Sequence, residues 1–167
     1  MPQIPAITQL IDNFPDGKRD GAAVAVLIGG SVQEHFEDEK FKAYKDTCAI
    51  RVSRALNVGG DPIPKGGGKL ANPYMADKKI RTDKGGDGKF YIYSVYDLRA
   101  YLSGRYGQPK KYKRSITQEE LAKENVKGII VFAFWHADIW NGTSCVYHNN
   151  GFGQPKVQEI LVYPSSA

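Results

Sequence analysis

The stretch DTCAIRVSRALN, residues 46–57, is the part of this chain from which its fold is best predicted. It predicts one short helix, because Asp46 or Thr47 is suited to cap the first turn and the glycine pair at residues 59–60 provides a stop signal. Apolar side chains recur along it at helical spacing, so one face of the helix is expected to be buried. The residues on that face are Cys48, Val52, Ala55 and Leu56.

Cys48 lies in the first turn of this predicted helix, which leaves two interpretations of its thiol open. The positive end of the helix dipole and the unpaired N–H groups of the first turn favour a thiolate and an anionic reaction intermediate. Under this interpretation Cys48 is a nucleophile. The other interpretation is a small core cysteine that packs as alanine does, and the helix taken alone favours it.

The second half of the chain contains a candidate partner for this thiol. The run GIIVFAFW, residues 128–135, has no charged side chain and predicts a strand that is buried on both faces. HADIW, residues 136–140, follows it, and Asn141-Gly142 is a strong hairpin-turn signal. Residues 145–148 are expected to form the returning strand. His136 is therefore expected at a strand junction.

A cysteine at a helix start and a histidine on a distant strand, oriented by a third polar group, form the catalytic arrangement of papain-like cysteine hydrolases. The chain has three histidines, and two of them, His136 and His148, lie near the predicted hairpin. Helical patterns in the first half and strand patterns in the second predict an α+β fold with an antiparallel sheet. The candidate cleft lies between the Cys48 helix and the His136 strand.

Weaker patterns predict the remaining elements. Helices are expected over residues 7–14, 22–36, 96–106 and 117–125, and strands over residues 90–95 and 157–163. A long loop rich in glycine and proline is expected over residues 58–88. The basic stretch 106–114 is interpreted as a solvated loop beside the cleft in preference to a nucleic-acid contact.

The composition is that of an ordinary globular protein, with 41% hydrophobic residues and a net charge of +5. At 167 residues the chain is expected to form a single domain, residues 1–167. Its two cysteines are too few for a disulfide framework, and catalysis by Cys48 requires a free thiol. The positive charge leaves a second class of function open, a catalytically silent basic module that binds nucleic acid or a protein partner.

The segments TCAIRVSRALN, residues 47–57, and HADIWNG, residues 136–142, together resemble the type VI secretion amidase effectors of family four. These are papain-like enzymes related to the NlpC-type cell-wall peptidases. The resemblance is strongest over residues 46–60 and 128–145, and the Gly29-Gly30 pair is similar to the family's N-terminal helical region. It implies a papain-like or NlpC-type cysteine peptidase fold, in which an N-terminal helix with the catalytic cysteine packs against an antiparallel sheet.

The resemblance also implies an activity. Enzymes of this family enter neighbouring Gram-negative cells and, as DL-endopeptidases, hydrolyse the amide bond between D-glutamate and meso-diaminopimelate in peptidoglycan stem peptides. Carried over to this chain, Cys48 is the expected nucleophile and His136 the expected general base. No cofactor and no metal ion are expected. The implied partners are the stem peptides, a cognate immunity protein and the type VI secretion machinery, and no nucleic acid.

The identity of the third catalytic residue is less well determined by the resemblance. In the family it is an acidic or other polar residue about a dozen residues after the histidine, which indicates His148. This chain departs from the pattern, because many members have an aspartate there, but a second histidine orients the first in related NlpC-type sites. Asp138 is an alternative because it shares a strand face with His136. Asn149 is another, by analogy with the asparagine of papain.

The first residues have no basic start followed by an apolar run and a cleavage site, so no export signal peptide is expected. No apolar stretch is long enough to span a bilayer. With the resemblance, this predicts a protein that is made in the cytoplasm, secreted by a type VI system and active in the periplasm of a target Gram-negative cell.

Overall fold

The computed structural model describes residues 2–42 and 46–166. Its helices are α1 (Ile7–Asp12), α2 (Gly21–Ile28), α3 (Gly30–Glu37), α4 (Cys48–Gly59), α5 (Val95–Tyr106) and α6 (Gln118–Ala122). Its strands are β1 (Asp83–Lys84), β2 (Phe90–Tyr91), β3 (Lys110–Lys113), β4 (Gly128–Ala133), β5 (His136–Trp140) and β6 (Glu159–Pro164). Within the described residues, no helix is both long enough and apolar enough to cross a membrane.

The strands form two antiparallel sheets. β1 pairs with β2, and the larger sheet has the strand order β3-β6-β4-β5. One face of the larger sheet packs against α4 and α5, and a second apolar cluster covers the other face. The predicted α+β architecture with an antiparallel sheet is confirmed.

Helix α4 begins at Cys48 and ends at Gly59, as the sequence of residues 46–60 predicts. Cys48, Val52, Ala55 and Leu56 are each at most 1% exposed, so the predicted apolar face is buried. The helix is also buried on its polar side. This difference from the prediction arises because its polar side chains bond to backbone groups of the segments that surround it.

Two of these polar side chains fasten α4 to the loops beside it. Ser53 Oγ donates to the carbonyl of Ala49 (2.8 Å) and accepts from the N–H of Ile92 (2.9 Å). Asn57 donates to the carbonyl of Phe90 (2.8 Å) and accepts from the N–H of Ile63 (2.8 Å). A strand is predicted over residues 90–95, but β2 contains only Phe90 and Tyr91. The strand is short because the carbonyl of Phe90 and the N–H of Ile92 bond to side chains of α4.

The single helix predicted over residues 22–36 is wrong, since α2 and α3 are separate helices. The break lies at Gly29 and Gly30, whose φ angles are +69° and +60°. A loop backbone passes so close that a Cβ atom on Gly30 would lie 2.6 Å from the carbonyl carbon of Gly85. Glycine is required here by conformation and by space.

The returning strand predicted over residues 145–148 is also wrong. Only an isolated bridge between Trp140 and Cys145 forms, together with a bond from the N–H of Val146 to the carbonyl of Ile139. After this point the backbone leaves the sheet, because its next two N–H groups turn toward the carboxylate of Asp138.

The basic stretch 106–114 is only partly a loop. Its residues Lys110–Lys113 form the edge strand β3, which pairs with β6 in a register that places Tyr112 opposite Ile160. Three of its four side chains are lysines exposed to solvent, a composition that protects sheet edges from pairing with other chains.

Candidate active site

Cys48 lies at the first position of α4 and is 1% exposed. Thr47 is the N-cap residue and has no side-chain cap bond, but the backbone N–H of Cys48 donates to Asp46 Oδ1 at 3.1 Å, so Asp46 satisfies this first-turn N–H. Cys48 and Cys145 are both free thiols, as a nucleophilic role for Cys48 requires.

The electrostatics of Cys48 differ from the prediction. Burial raises the pKa of the Cys48 thiol well above its usual value, and the negative charge of Asp46 raises the pKa further. Hydrogen bonds to the sulfur from the backbone N–H groups of Ala137 and Ala49 lower the pKa by less. In this conformation desolvation of the buried sulfur therefore opposes the thiolate that the helix start favours.

His136 and Asp138 are the first and third residues of β5, and their side chains meet on one face of the strand. Nε2 of His136 lies 2.8 Å from Oδ2 of Asp138. The two residues are 2% and 0% exposed, respectively. A buried imidazole is thus held by a carboxylate that is two residues away on the same rigid element.

The carboxylate of Asp138 determines which nitrogen of His136 carries a proton. Its oxygens also accept from the backbone N–H groups of Ile139 (2.8 Å), Tyr147 (2.9 Å) and His148 (3.1 Å). Because the carboxylate acts as an acceptor in all these bonds, Nε2 of His136 is the donor toward it. The neutral imidazole therefore carries its proton on Nε2, which leaves the lone pair of Nδ1 free to accept a proton.

His148 contacts His136 by stacking rather than by a ring hydrogen bond. The two imidazole rings are 4.0 Å apart between centroids and 17° from parallel. Nδ1 of His148 accepts from the N–H of Asn150 at 3.2 Å. Desolvation and the neighbouring His136 lower the pKa of His148, so its ring is neutral near pH 7. Its bond to the His136–Asp138 pair runs through its backbone N–H.

Asn149 is occupied elsewhere. Its Oδ1 accepts from the N–H of Cys145 at 2.8 Å and so closes the turn that follows β5. Of the three candidates for the third catalytic residue, only Asp138 therefore has a side-chain hydrogen bond to the ring of His136 in the described part of the chain.

Helix α4, which begins at Cys48, packs against strand β5, which begins at His136. Ala137, whose N–H points to the sulfur of Cys48, directly follows His136 in the chain. The arrangement joins a thiol at a helix start, an imidazole with a free lone pair and a carboxylate that orients the imidazole. Its chemical capacity is nucleophilic attack by sulfur with proton transfer through the imidazole.

Sequence reasoning missed two residues beside this site, Arg51 and Tyr147. Arg51 is completely buried in α4, and its guanidinium lies 4.2 Å above the ring of Tyr147. An arginine inside a strongly apolar helix, one turn after Cys48, was the available signal, because arginine is almost never fully buried without partners.

Comparisons with known proteins identify the family. Residues 44–163 match the family model described as type VI secretion system (T6SS), amidase effector protein 4, Tae4. A search of curated protein sequences gave no match.

Solved structures give the same result over nearly the whole chain. Tae4 from Enterobacter cloacae is 27% identical, with 99% of this chain and 100% of that chain covered and a TM-score of 0.75. Tae4 from Salmonella typhimurium, in complex with the immunity protein Tai4 from Enterobacter cloacae, is 27% identical, with 97% and 99% covered and a TM-score of 0.76. The fold is thus of the papain-like, NlpC-related type expected. The chain belongs to the family of type VI secretion amidase effectors called Tae4, which makes it a hydrolase by family.

Proposed function

We propose that this protein is a peptidoglycan DL-endopeptidase that hydrolyses the amide bond between D-glutamate and meso-diaminopimelate in stem peptides. The observation that carries the proposal is the buried His136–Asp138 pair on β5, the strand against which the Cys48 helix packs, in a chain from an amidase-effector family. We assign Cys48 as the nucleophile, His136 as the general base and Asp138 as the residue that orients His136.

The first half of the proposed reaction forms an acyl-enzyme. Because the resting thiol of Cys48 is protonated, Nδ1 of His136 takes its proton as the sulfur attacks the glutamyl carbonyl carbon. Asp138 stabilises the imidazolium that results. The tetrahedral intermediate then loses the amine of diaminopimelate, which receives the proton from His136, and a thioester remains on Cys48.

The second half restores the enzyme. A water molecule gives one proton to His136 and its oxygen attacks the thioester carbon. The carbon–sulfur bond then breaks, the sulfur of Cys48 takes the proton from His136, and the glutamate product leaves after losing its carboxyl proton to solvent. The oxyanion of each tetrahedral intermediate needs N–H donors near Cys48. The N–H of Cys48 itself is bonded to Asp46 Oδ1, so substrate binding is proposed to displace that carboxylate.

Asp138 replaces His148 as our first choice for the third residue, and the support is its bond to the ring of His136. His148 has only its backbone N–H directed at the pair, and Asn149 closes a turn. We propose that the rings of His148 and Trp135, which lie 4.0 and 5.9 Å from that of His136, form the wall of the substrate site on this side.

The proposed partners follow from the family. Tae4 from Salmonella typhimurium and from Enterobacter cloacae have each been crystallised with an immunity protein Tai4. We propose that a cognate immunity protein blocks this chain as well, and that a type VI secretion machine delivers it to the periplasm of a Gram-negative target cell.

Digestion of purified sacculi tests the proposal. Wild-type protein should release muropeptides cut between D-glutamate and meso-diaminopimelate, as shown by chromatography and mass spectrometry of the products. Cys48→Ala should abolish this release. Cys145→Ala is the matched control, because it removes the other buried thiol, which has no role in the proposed reaction, and it should retain activity.

Two results would contradict the proposal. Products from the Cys48→Ala variant would exclude Cys48 as the nucleophile. Intact sacculi after incubation with folded wild-type protein would point instead to the silent binding module that the basic composition left open.

A further inference from the structure

Arg51 lies one helical turn after Cys48, and its guanidinium is completely enclosed. Nε donates to Thr47 Oγ1 (2.9 Å), and Nη1 donates to the carbonyls of Pro15 (2.7 Å) and Asp16 (2.6 Å). Nη2 donates to the carbonyl of Arg19 at 2.7 Å. Three of the four acceptors belong to one loop, residues 15–19, and the fourth is the residue that immediately precedes Cys48.

One face of the planar guanidinium packs on the ring of Tyr147. The distance from Arg51 Cζ to the centre of the Tyr147 ring is 4.2 Å, a favourable cation–π geometry. The ring also contacts the loop that Arg51 holds, since a Cβ atom on Gly17 would lie 3.3 Å from its Cδ1 atom. Tyr147 is thus packed against both the arginine and the backbone of the 15–19 loop.

Tyr147 connects this packing to the carboxylate of Asp138. Its backbone N–H donates to Asp138 Oδ1 at 2.9 Å, and the following N–H, of His148, donates to Oδ2 at 3.1 Å. The position of the Tyr147 ring therefore influences the position of two of the donors that orient Asp138.

We propose that Arg51 is a positioning residue that holds the start of the Cys48 helix in register with the Tyr147 loop, and through that loop with the Asp138–His136 pair. This inference rests on the proposed function, because it assigns Arg51 to the alignment of the same thiol and imidazole. Arg51 acts through Thr47 and Tyr147 and does not itself contact the reacting atoms.

The chemistry of the guanidinium explains why an arginine occupies this position. Its planar set of donors reaches four acceptors in fixed directions while its face packs on an aromatic ring, which a lysine ammonium does not achieve. Among the described residues no carboxylate forms an ion pair with Arg51, so its charge is balanced by carbonyl dipoles and the tyrosine ring. A charge this deeply buried is costly unless its donors are bonded, and here four of its five N–H groups have acceptors in fixed directions.

Three substitutions test the inference. Arg51→Lys retains the charge and removes the planar set of donors. Thr47→Val removes the hydroxyl that accepts from Arg51, and Tyr147→Leu removes the aromatic ring together with its hydroxyl. Arg54→Lys is the matched control, because Arg54 lies on the same helix but pairs with Asp87 and is partly exposed.

The first measurement is the kinetics of each folded variant on a defined stem peptide. We expect kcat to fall at least about tenfold in the three variants while KM changes by less than about threefold, since misalignment lowers transition-state stabilisation and leaves substrate binding. Arg54→Lys should keep both constants within about twofold of the wild-type values. Thermal unfolding of each variant shows that the protein is folded at the assay temperature.

The second measurement is independent of the substrate. Imidazole NMR of the full chain reports the chemical shifts of the Nε2–H proton and of both ring nitrogens of His136, and these should change in Thr47→Val and Tyr147→Leu but not in Arg54→Lys. If wild-type protein cleaves no stem peptide, the proposed function fails and this spectrum still decides the role of Arg51. Unchanged kcat and unchanged His136 signals in folded Thr47→Val and Tyr147→Leu would overturn the inference, even if Arg51→Lys does not fold.

Discussion

Nε2 of His136 lies 2.8 Å from Oδ2 of Asp138, and both side chains are withdrawn from solvent on the single strand β5. The spacing of two residues on a strand places them on one face without the help of any other element. Three backbone N–H groups then saturate the remaining acceptor sites of the carboxylate. The pair is therefore preorganised, and only the sulfur of Cys48 has to be supplied by a different part of the chain.

Replacement of the Asp138 carboxylate by an amide tests the proposed triad of Cys48, His136 and Asp138 most directly. In Asp138→Asn, one acceptor oxygen becomes an NH₂ group, which cannot accept from the N–H of His148 or from Nε2 of His136 and favours the wrong tautomer of the imidazole. We expect kcat to fall by about 10² to 10⁴ with little change in KM. Stability should fall by about 1–3 kcal/mol, because buried donors lose their acceptor.

His148→Ala and Asn149→Ala, assayed on the same stem peptide, are the companion variants. Both should retain more than about a tenth of wild-type kcat, because neither side chain bonds to the imidazole of His136. A large loss of kcat in His148→Ala, together with a nearly normal kcat in Asp138→Asn, would show that His148 and not Asp138 orients His136.

Cys48 should react as a buried, protonated thiol does. Burial and the charge of Asp46 raise the pKa of Cys48, so alkylation by iodoacetamide should be slow at pH 7 and rise only at alkaline pH. Asp46→Asn removes the negative charge and keeps an oxygen that can accept from the N–H of Cys48. We expect the pKa of Cys48 to fall and the alkylation profile to shift toward lower pH.

This measurement uses a Cys145→Ala background, so that Cys48 is the sole thiol. Asp38→Asn serves as the control, because Asp38 is a carboxylate that accepts from the N–H of Lys40 rather than from Cys48. Rapid alkylation of Cys48 at pH 6, in protein with Asp46 intact, would show that the thiol is already ionised there. An unchanged dependence of the alkylation rate on pH after Asp46→Asn would show that Asp46 does not influence the pKa of Cys48.

Stability should decline in alkaline solution. Burial raises the pKa of Cys48 above its ordinary value of 9.0 and raises the pKa values of Tyr91, Tyr101 and Tyr163 to about 12. A group with a raised pKa in the folded state loses its proton first in the unfolded state, so the unfolded state binds fewer protons and stability falls as pH rises. The contribution is complete below about pH 9 and is lost progressively above it.

Urea unfolding between pH 8 and pH 11 measures this effect. The slope contributed by each such group is at most about 1.4 kcal/mol per pH unit. Cys48→Ala should show a shallower decline than wild type from pH 9 upward, because it has one fewer buried group to ionise. A free energy of unfolding that stays constant or rises over this range would be inconsistent with buried protonated thiols and phenols.

Toxicity should depend on the compartment. Expression of the chain in the cytoplasm of a Gram-negative host should be tolerated, whereas fusion to a periplasmic signal peptide should cause lysis, because the proposed substrate lies outside the inner membrane. Growth and optical density after induction provide the measurement, and the signal-peptide fusion of Cys48→Ala is the control. Equal toxicity in both compartments would indicate a cytoplasmic target.

Helix α4 and strand β4 were predicted well from the sequence, because the signals that define them are local. The capping residues before Cys48, the glycines after Asn57 and the uncharged run from Gly128 lie within the elements or next to them. The resemblance of residues 46–60 and 128–145 to the amidase effectors was equally local and led to the correct family.

The elements that were predicted wrongly depend on distant parts of the chain. The break at Gly29 and Gly30 is required by the passage of the backbone at Gly85 and Gly86. Residues 145–148 do not form a strand because Asp138 draws two of their N–H groups out of the sheet. Neither influence is visible in a local pattern.

The sequence by itself determined that a cysteine begins a helix and that a histidine begins a strand beyond an uncharged run, since capping and periodicity are properties of neighbouring residues. Only the tertiary structure decided which polar group contacts the ring of His136, and that burial raises the pKa of the Cys48 thiol. Hydrogen-bond geometry and desolvation arise from the surroundings of a side chain, and those surroundings here include the loop of residues 15–19, helix α4 and the Tyr147 loop, which meet only in the folded chain.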